Sequence, residues 1–196
     1  MAILKTRTKM VDVARQLFAK MGVENTTMND IAIASKKGRR TLYTYFKSKD
    51  ELYMAVVESE LEILSDKLKE VVEQQISPDK KIIEMVFTRL DSVKEVVFRN
   101  GTLRADFFRD IWRVEKVRKR FDAKEIQFFR LILNEGRDKG VFHIDDVEMT
   151  AQVLHYCLKG IEVPYIRGSI GSGIDDNKKK EIVTNIVFGA LHRTNT

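Results

Sequence analysis

The chain has 196 residues, 43% of them hydrophobic, and a formal net charge of +6. This hydrophobic share can bury a sizeable core, which argues against a disordered chain. Only 2 Pro and 10 Gly interrupt long stretches rich in Leu, Ile, Val, Glu and Lys. The composition therefore predicts an all-α protein, and the apolar periodicity along the chain predicts about nine helices.

Two features of the sequence bear on the compartment in which the protein works. No run of about 18 uncharged apolar residues occurs, and the N-terminus lacks the apolar core of a signal peptide. We therefore expect a cytoplasmic protein. The single cysteine, Cys157, cannot form an internal disulfide, and its apolar neighbours favour a buried side chain over a redox-sensing thiol.

The positive charge of the chain is confined to its first quarter. Residues 1–50 contain 11 Lys or Arg and 4 Asp or Glu, whereas residues 51–196 contain 24 and 25. The first segment therefore carries +7 and the remainder −1. Such a concentration of charge is typical of a module that faces nucleic-acid phosphates, with a merely soluble basic face as the alternative.

The first two predicted helices have clear start and stop signals. The first runs from about Thr8 to Met21, and Gly22 supplies the left-handed residue that ends it. Thr27 precedes Asp30 by three positions, which is the spacing of a reciprocal capping box. This box opens a second helix that ends near residue 35.

A basic turn at residues 35–38 leads to a third predicted helix at residues 39–46. Leu42 and Phe46 lie four residues apart and can pack inward, while most of the other side chains of this helix face outward. Two short helices joined by a tight turn form a helix-turn-helix, whose second helix enters the major groove of DNA. Residues 39–46 are therefore the candidate recognition helix.

The chemistry of these outward side chains suits DNA. Arginines can bind guanine or phosphate through two hydrogen bonds, and threonine or tyrosine can donate to a phosphate or contact a thymine methyl group. A hydroxyl and an amide at the start of the second helix can also bind a phosphate. The alternative is that the tyrosines pack inward and the lysines are only solvated. The predicted DNA-binding residues are Thr27, Lys37, Arg39, Arg40, Thr41, Tyr43, Tyr45, Lys47 and Lys49.

The remaining predicted helices follow at regular intervals. A second capping box, formed by Ser48 and Glu51, opens a long fourth helix that reaches about residue 75. A short aromatic segment near residue 107 precedes a mixed-charge helix, and Asp145 with Glu148 opens the one after that. Five helices are expected after the fourth, at about residues 77–100, 107–112, 114–139, 145–165 and 175–192.

The last two predicted helices carry more apolar surface than a small body needs to cover. In the final helix, apolar residues recur at three and four positions and form a stripe two columns wide. We therefore expect these helices to bury against a second subunit, with packing onto the same chain as the alternative. The predicted interface residues are Val153, Ile161, Ile182, Val183, Ile186, Val187 and Leu191.

The residues that carry a family resemblance in this segment are Ala14, Leu17, Phe18, Gly22, Thr26, Thr27, Asp30, Ile31, Ala32, Thr41, Leu42, Tyr43, Tyr45, Phe46, Ser48, Lys49 and Leu52. On these residues, the segment 11–52 resembles the DNA-binding head of the TetR family of bacterial transcriptional regulators. The chain departs from that family's pattern at Ser35-Lys36-Lys37-Gly38, where the family usually has Ala-Gly-Val-Ser, and at Arg40, where it usually has Gly. The added charge should raise non-specific affinity for DNA.

The resemblance implies a division of labour between residues 1–50, a DNA-binding domain, and residues 51–196, a helical domain for ligand binding and dimerisation. It further implies a homodimer joined as a four-helix bundle, a near-palindromic operator, and a small-molecule effector that releases the DNA. An aromatic-rich set in the body can line an apolar pocket or can be plain core. That set is Phe87, Leu90, Phe107, Phe108, Trp112, Phe128, Phe129 and Tyr156.

Two other classes of protein compete with this interpretation. An enzyme is disfavoured because His143, His155 and His192 are far apart and no metal-binding or nucleophile motif is present, so we predict no catalytic residue, metal or cofactor. A helical adaptor would bind a protein partner through its body and touch nucleic acid only weakly. As the salt concentration rises, an adaptor should lose its affinity for all DNA sequences at once, whereas a regulator should keep its preference for one specific site.

Overall fold

The computed structural model describes residues 2–99, 111–171 and 173–191. These residues contain eight helices and no strand, which confirms the all-α class. Of the short aromatic helix predicted near residue 107, positions 107–110 lie outside the described residues, and positions 111 and 112 begin a longer helix. The helices are α1 (Ala2–Met21), α2 (Met28–Ala34), α3 (Arg39–Tyr45), α4 (Lys49–Glu73), α5 (Pro78–Arg99), α6 (Ile111–Asp138), α7 (Val147–Ile166) and α8 (Asp176–Leu191).

The chain forms two compact units. The head unit comprises the described residues of Met1–Ile63 and Glu95–Arg120, and the body unit comprises those of Leu64–Lys94 and Phe121–Thr196. The boundary predicted at residue 50 therefore lies inside the head unit. Helix α4 contributes residues to both units.

Apolar side chains from α1 to α4 form the core of the head unit. Phe18, Ile31 and Leu42 are completely buried, and Phe46 is almost so. The ring of Phe18 meets that of Tyr53 edge to face, with 6.2 Å between ring centroids. Because burial of one such side chain stabilises a fold by about 1.5–3 kcal/mol, this cluster fixes α3 against the helices around it.

Three helix ends show how well local sequence signals predict helix boundaries. Helix α1 ends at Met21 as predicted, and Gly22 adopts the left-handed conformation with φ of 89°. Its start is at Ala2 rather than Thr8, because the first residues include neither Gly nor Pro and need no apolar face to remain helical. In the body, Asp146 rather than Asp145 caps α7, and its carboxylate accepts a hydrogen bond from the Met149 amide at 2.9 Å.

The core of the body unit combines close apolar packing with buried charge. Gly136 on α6 lies against the ring of Phe142, and a Cβ at this position would come within 2.0 Å of that ring. Ile82, Met85 and Phe129 are fully buried in the same unit. A side chain larger than hydrogen at position 136 would push Phe142 out of its place in the core.

An ionic network crosses this core. Arg89 on α5, with 2% of its side chain exposed, pairs through Nε with Glu125 Oε1 at 2.5 Å and through Nη2 with Glu162 Oε2 at 3.0 Å. Burial tends to lower the pKa of Arg89, but the attraction of the two carboxylates outweighs it and raises the pKa. Arg89 therefore stays charged and links α5, α6 and α7.

None of the helices in the described parts of the chain has both the length and the apolar character needed to span a membrane.

Candidate nucleic-acid interface

The start of α2 is fixed by the capping box that the sequence predicts. The Thr27 hydroxyl oxygen accepts a hydrogen bond from the Asp30 amide at 3.2 Å, and the Thr27 amide donates to Asp30 Oδ2 at 2.9 Å. The Thr27 hydroxyl also donates to Asp30 Oδ2 at 2.6 Å, and these hydrogen bonds lower the pKa of Asp30. Both polar groups of Thr27 are thus engaged within the box, and its contact with a phosphate stays a prediction.

The turn between α2 and α3 is a Schellman motif built on a lysine. The amide of Lys37 donates to the Ala32 carbonyl, and the amide of Lys36 donates to the Ile33 carbonyl, each at 3.0 Å. Lys36 occupies the left-handed position with φ of 54°, where glycine is normally favoured. The unusual turn sequence therefore keeps the geometry of a helix-turn-helix at the cost of backbone strain, and it leaves Lys36 and Lys37 exposed.

Helix α3 presents a buried side and an exposed side. Gly38 caps it without a side-chain hydrogen bond, and Leu42 anchors its inner face. The guanidinium of Arg39 lies 5.7 Å from the centroid of the Tyr43 ring, which holds both side chains on the outer face. The predicted DNA-binding residues that α3 and its preceding turn expose are Lys37, Arg39, Arg40, Thr41 and Tyr43.

The three predicted residues after Tyr43 have different surroundings. Tyr45 is half-buried and packs against the head core, as in the alternative of inward packing. Lys47 is exposed, and its amide donates to Glu51 Oε2 at 2.6 Å. Lys49 directs its ammonium to the carbonyl oxygens of Val23 at 2.7 Å and Glu24 at 3.2 Å. A phosphate would have to compete with these two carbonyls for Lys49.

Three contacts in the head unit were not predicted. The guanidinium of Arg7 lies 5.2 Å from the centroid of the Phe46 ring, so the basic start of α1 lies next to the end of α3. Arg15 on α1 bonds to Glu60 at 2.7 Å and to Ser59 at 2.9 Å, both on α4. Such pairs link residues that are far apart in sequence, and no local pattern indicates them.

The exposed face of α3 has the shape and the side chains expected of a recognition helix. A helix fits the major groove of B-DNA, and arginines near its start reach base edges when the preceding helix fixes its angle. Arg39 and Arg40 occupy the first two positions of α3, and the caps and buried side chains described above fix its orientation. The arrangement therefore presents both arginines at the end of the helix that the major groove would receive.

The residues of the predicted effector pocket have different surroundings. Phe87, Leu90 and Phe129 are buried, Phe128 is half-buried, and Tyr156 is exposed. Phe107, Phe108 and the side chain of Trp112 lie outside the described residues. An open groove of about 510 Å³ in the body unit includes Ile76, Ile83, Thr184 and Phe188 in its lining and none of the predicted pocket residues.

Several predicted dimer residues lie on the surface of the single chain. Val153 on α7 is 47% exposed, and Ile182 and Ile186 on α8 are 39% and 68% exposed. The alternative of packing within one chain has partial support, since other members of the set are half-buried. These are Ile161, Val183 and Val187, while the Leu191 side chain lies outside the described residues.

The exposed stripe of α7 continues through residues that the sequence did not place at an interface. Met149 and Tyr156 are 59% and 61% exposed, and together with Val153 they recur at four and three positions on one face. Cys157, predicted to be buried, is exposed. The prediction was wrong because an apolar sequence context indicates a buried side chain only where the helix face is covered within the chain.

Comparison with known proteins agrees with this geometry. Residues 10–56 match the family model described as bacterial regulatory proteins of the tetR family. The chain is 28% identical over 142 residues to the uncharacterised transcriptional regulator YfiR of Bacillus subtilis, covering 70% of this chain and 68% of YfiR. It is 22% identical over 162 residues to the transcriptional regulator QacR of Staphylococcus aureus, covering 81% of this chain and 85% of QacR.

The fold is shared along most of the chain with solved structures. A transcriptional regulator from Cytophaga hutchinsonii superimposes with a TM-score of 0.75 at 22% identity, covering 94% of this chain and 97% of the other. The predicted resemblance to the TetR family is therefore confirmed for residues 10–56, the segment that the family model matches.

Proposed function

We propose that the protein is a sequence-specific DNA-binding transcriptional regulator that works as a homodimer. It acts as a repressor, and a small molecule bound in the body releases it from a near-palindromic operator. The observation that carries the proposal is the exposed basic face of α3, held by buried Leu42 and by the capped turn before it. Its match to the tetR-family domain agrees with this role.

The positions of the exposed basic residues indicate which of them contact bases and which contact phosphates. Arg40 lies in the first turn of α3, where side chains reach base edges, so it reads sequence. Lys47 lies beyond the end of α3 and is exposed, so it binds phosphate. Contacts to bases specify the site, whereas contacts to phosphates add affinity to every sequence.

The exposed apolar faces of α7 and α8 support the homodimer. A continuous apolar stripe on α7 and a second on α8 would remain in contact with water in a single chain. Such surfaces mark sites of association, and a second copy brings the same stripes into a self-complementary contact. Two helices from each protomer then form the bundle.

The first experiment selects bound sequences from a random duplex pool with the full-length protein at physiological salt. Enrichment of a two-fold symmetric site is expected. If no site is enriched, and if the affinity for every DNA sequence falls in parallel as the salt concentration rises, the protein is not a sequence-specific regulator and the adaptor function is favoured.

Two variants then test the roles on the interface. Arg40→Ala should relax preference at one base position in each half-site, while Lys47→Ala should weaken all sequences and reduce the salt slope by about one. The measurement is binding to the selected site and to single-base variants over a salt series. Equal losses on every sequence for both variants would contradict the assignment.

The homodimer has a matched test. Ile186 on α8 and Ile33 on α2 are each 68% exposed, so aspartate at either position meets the same solvent in a single chain. Ile186→Asp should dissociate the dimer in sedimentation experiments, and Ile33→Asp should leave it intact. A dimer that survives Ile186→Asp at the concentration that supports the parent dimer would remove this face from the interface.

A further inference from the structure

The core of the body unit contains a histidine whose two ring nitrogens have different surroundings. His155 on α7 is completely buried. Its Nδ1 lies 2.8 Å from Glu125 Oε2 on α6, whereas its Nε2 has no hydrogen-bond partner among the described residues and lies 3.7 Å from Asp122 Oδ1. A buried nitrogen of this kind is costly unless something binds it, so it points to a ligand between His155 and Asp122.

We propose that His155 and Asp122, with Glu125 behind the histidine, form a binding site for a divalent transition-metal cation of the zinc class. One ligand atom from each residue lies within 4.8 Å of the others. Imidazole nitrogen and carboxylate oxygen are ligands that zinc takes in proteins. An ion about 2.1 Å from both His155 Nε2 and Asp122 Oδ1 would bind them at an angle of about 120°, close to tetrahedral.

Glu125 orients the histidine in this site. Its Oε2 lies beside His155 Nδ1, which favours the tautomer with the proton on Nδ1 and the lone pair of Nε2 directed to Asp122. Its other oxygen pairs with Arg89, so the carboxylate is held from both sides. A carboxylate behind a metal-binding histidine is a common arrangement, because it fixes the ring and makes it a stronger ligand.

The charges of the cluster fit a divalent cation. Glu125 and Glu162 share one buried cation, Arg89, and Asp122 adds a third carboxylate, which together leave two negative charges to be balanced. Lys159 supplies one positive charge, with Nζ 2.6 Å from Asp122 Oδ2. Its side chain is 27% exposed and can turn toward water. A divalent ion then balances the cluster, and Lys159 acts as its competitor.

Sequence spacing alone does not reveal this site. Asp122 and Glu125 lie three positions apart on one helix, but His155 comes 30 residues later and on another helix. The sequence therefore lacks the short repeated spacing of common zinc motifs. The site lies in the body unit and does not depend on DNA binding.

The test uses untagged full-length protein treated with a chelator and then titrated with Co²⁺, followed by its visible absorption, and with Zn²⁺ in a calorimeter. One equivalent per chain is expected to bind. Asp122→Asn and His155→Gln should each lower the affinity at least about tenfold, and Glu125→Gln about 10- to 100-fold. Lys159→Met should raise the affinity, because it removes the competing charge.

Surface sites are controlled by Cys157→Ser and His143→Gln, which change exposed side chains and should bind metal like the parent. Thermal melting identifies any variant that fails to fold, and in that case Lys159→Met alone decides, because its side chain is partly exposed. The proposal is overturned if the parent binds neither ion, if Asp122→Asn binds both as the parent does, or if Lys159→Met gains no affinity.

Discussion

The head and the body of this protein are stabilised in different ways. The helix-turn-helix core is a cluster of apolar side chains from α1 to α4, with the arginines and lysines of α3 and its turn kept outside. In the body unit, Arg89, Glu125, Glu162 and His155 are buried among the apolar residues. Two all-helical units of one chain can therefore tolerate different kinds of substitution.

An apolar core depends on volume and accepts another side chain of similar size. A buried ion pair depends on each partner, because removing one leaves the other charged and without compensation in the interior. Substitutions in the two units should therefore differ in their effects.

The largest effect should come from Arg89→Ala. This change leaves Glu125 and Glu162 buried without their cation and should lower the free energy of unfolding by about 3–5 kcal/mol. Arg130→Ala is the control, since Arg130 is 43% exposed and pairs with Glu148 at 3.0 Å, and it should cost about 0–1 kcal/mol. Urea unfolding followed by circular dichroism measures both, and equal losses would remove the contrast between buried and exposed pairs.

A milder result is expected for a volume-conserving change in the head. Ile31→Leu keeps the volume of a completely buried side chain and should cost less than about 1.5 kcal/mol by the same urea measurement. Arg89→Lys keeps the charge but loses the planar fork that serves two carboxylates, and it should cost more. A larger loss for Ile31→Leu than for Arg89→Lys would reverse the comparison.

Lys36→Gly should raise the free energy of unfolding by about 1 kcal/mol, because glycine adopts the left-handed conformation of this turn without strain. Lys37→Gly is the control, since it removes the same charge from the same turn at a residue without positive φ. Thermal melting of both variants separates the relief of strain from the loss of charge. Stabilisation by Lys37→Gly of the same size would show that charge repulsion, not backbone conformation, limits the turn.

The smallest effect concerns pH. Hydrogen bonds from Lys139 at 2.6 Å and Lys81 at 2.8 Å lower the pKa of Glu135 below its ordinary value of 4.5. The stabilisation is complete above that ordinary value and is lost as the pH falls through the lowered pKa. The parent should therefore lose more stability in acid than Glu135→Gln does.

The measurement is the urea midpoint near neutral pH and at about pH 3. Glu62→Gln, at an exposed position on α4, serves as the control and should follow the parent. An identical loss in acid for Glu135→Gln and the parent would show that this carboxylate does not contribute.

Most of the head could be predicted from local patterns. The capping box of Thr27 and Asp30, the stop at Gly22 and the inward positions of Leu42 and Phe46 each depend on residues within a few positions of one another. Contacts across the fold could not be predicted in this way. The ammonium of Lys49 binds carbonyls about 25 residues earlier in the chain, and nothing next to Lys49 indicates them.

The contacts of the body were harder to predict, because the periodicity of apolar residues in a helix does not show which other helix packs against it. Arg89 and Glu162 are 73 residues apart, and each taken alone resembles a solvated charge on a helix. Exposed Val153 and Tyr156 have the same sequence pattern as a buried stripe. Only the fold shows which apolar faces are covered within one chain.

Side-chain contacts at two places along the beginning of α4 join this helix to α1 and to the loop that follows α1. Lys49 donates a hydrogen bond to the loop after α1. Three turns further along α4, Ser59 and Glu60 bind the guanidinium of Arg15 on α1. Between these points α4 cannot twist without pulling α1 with it. Because α1, α3 and α4 share one core, a rotation of this part of α4 is expected to be passed on to α3 and to displace Arg39 and Arg40.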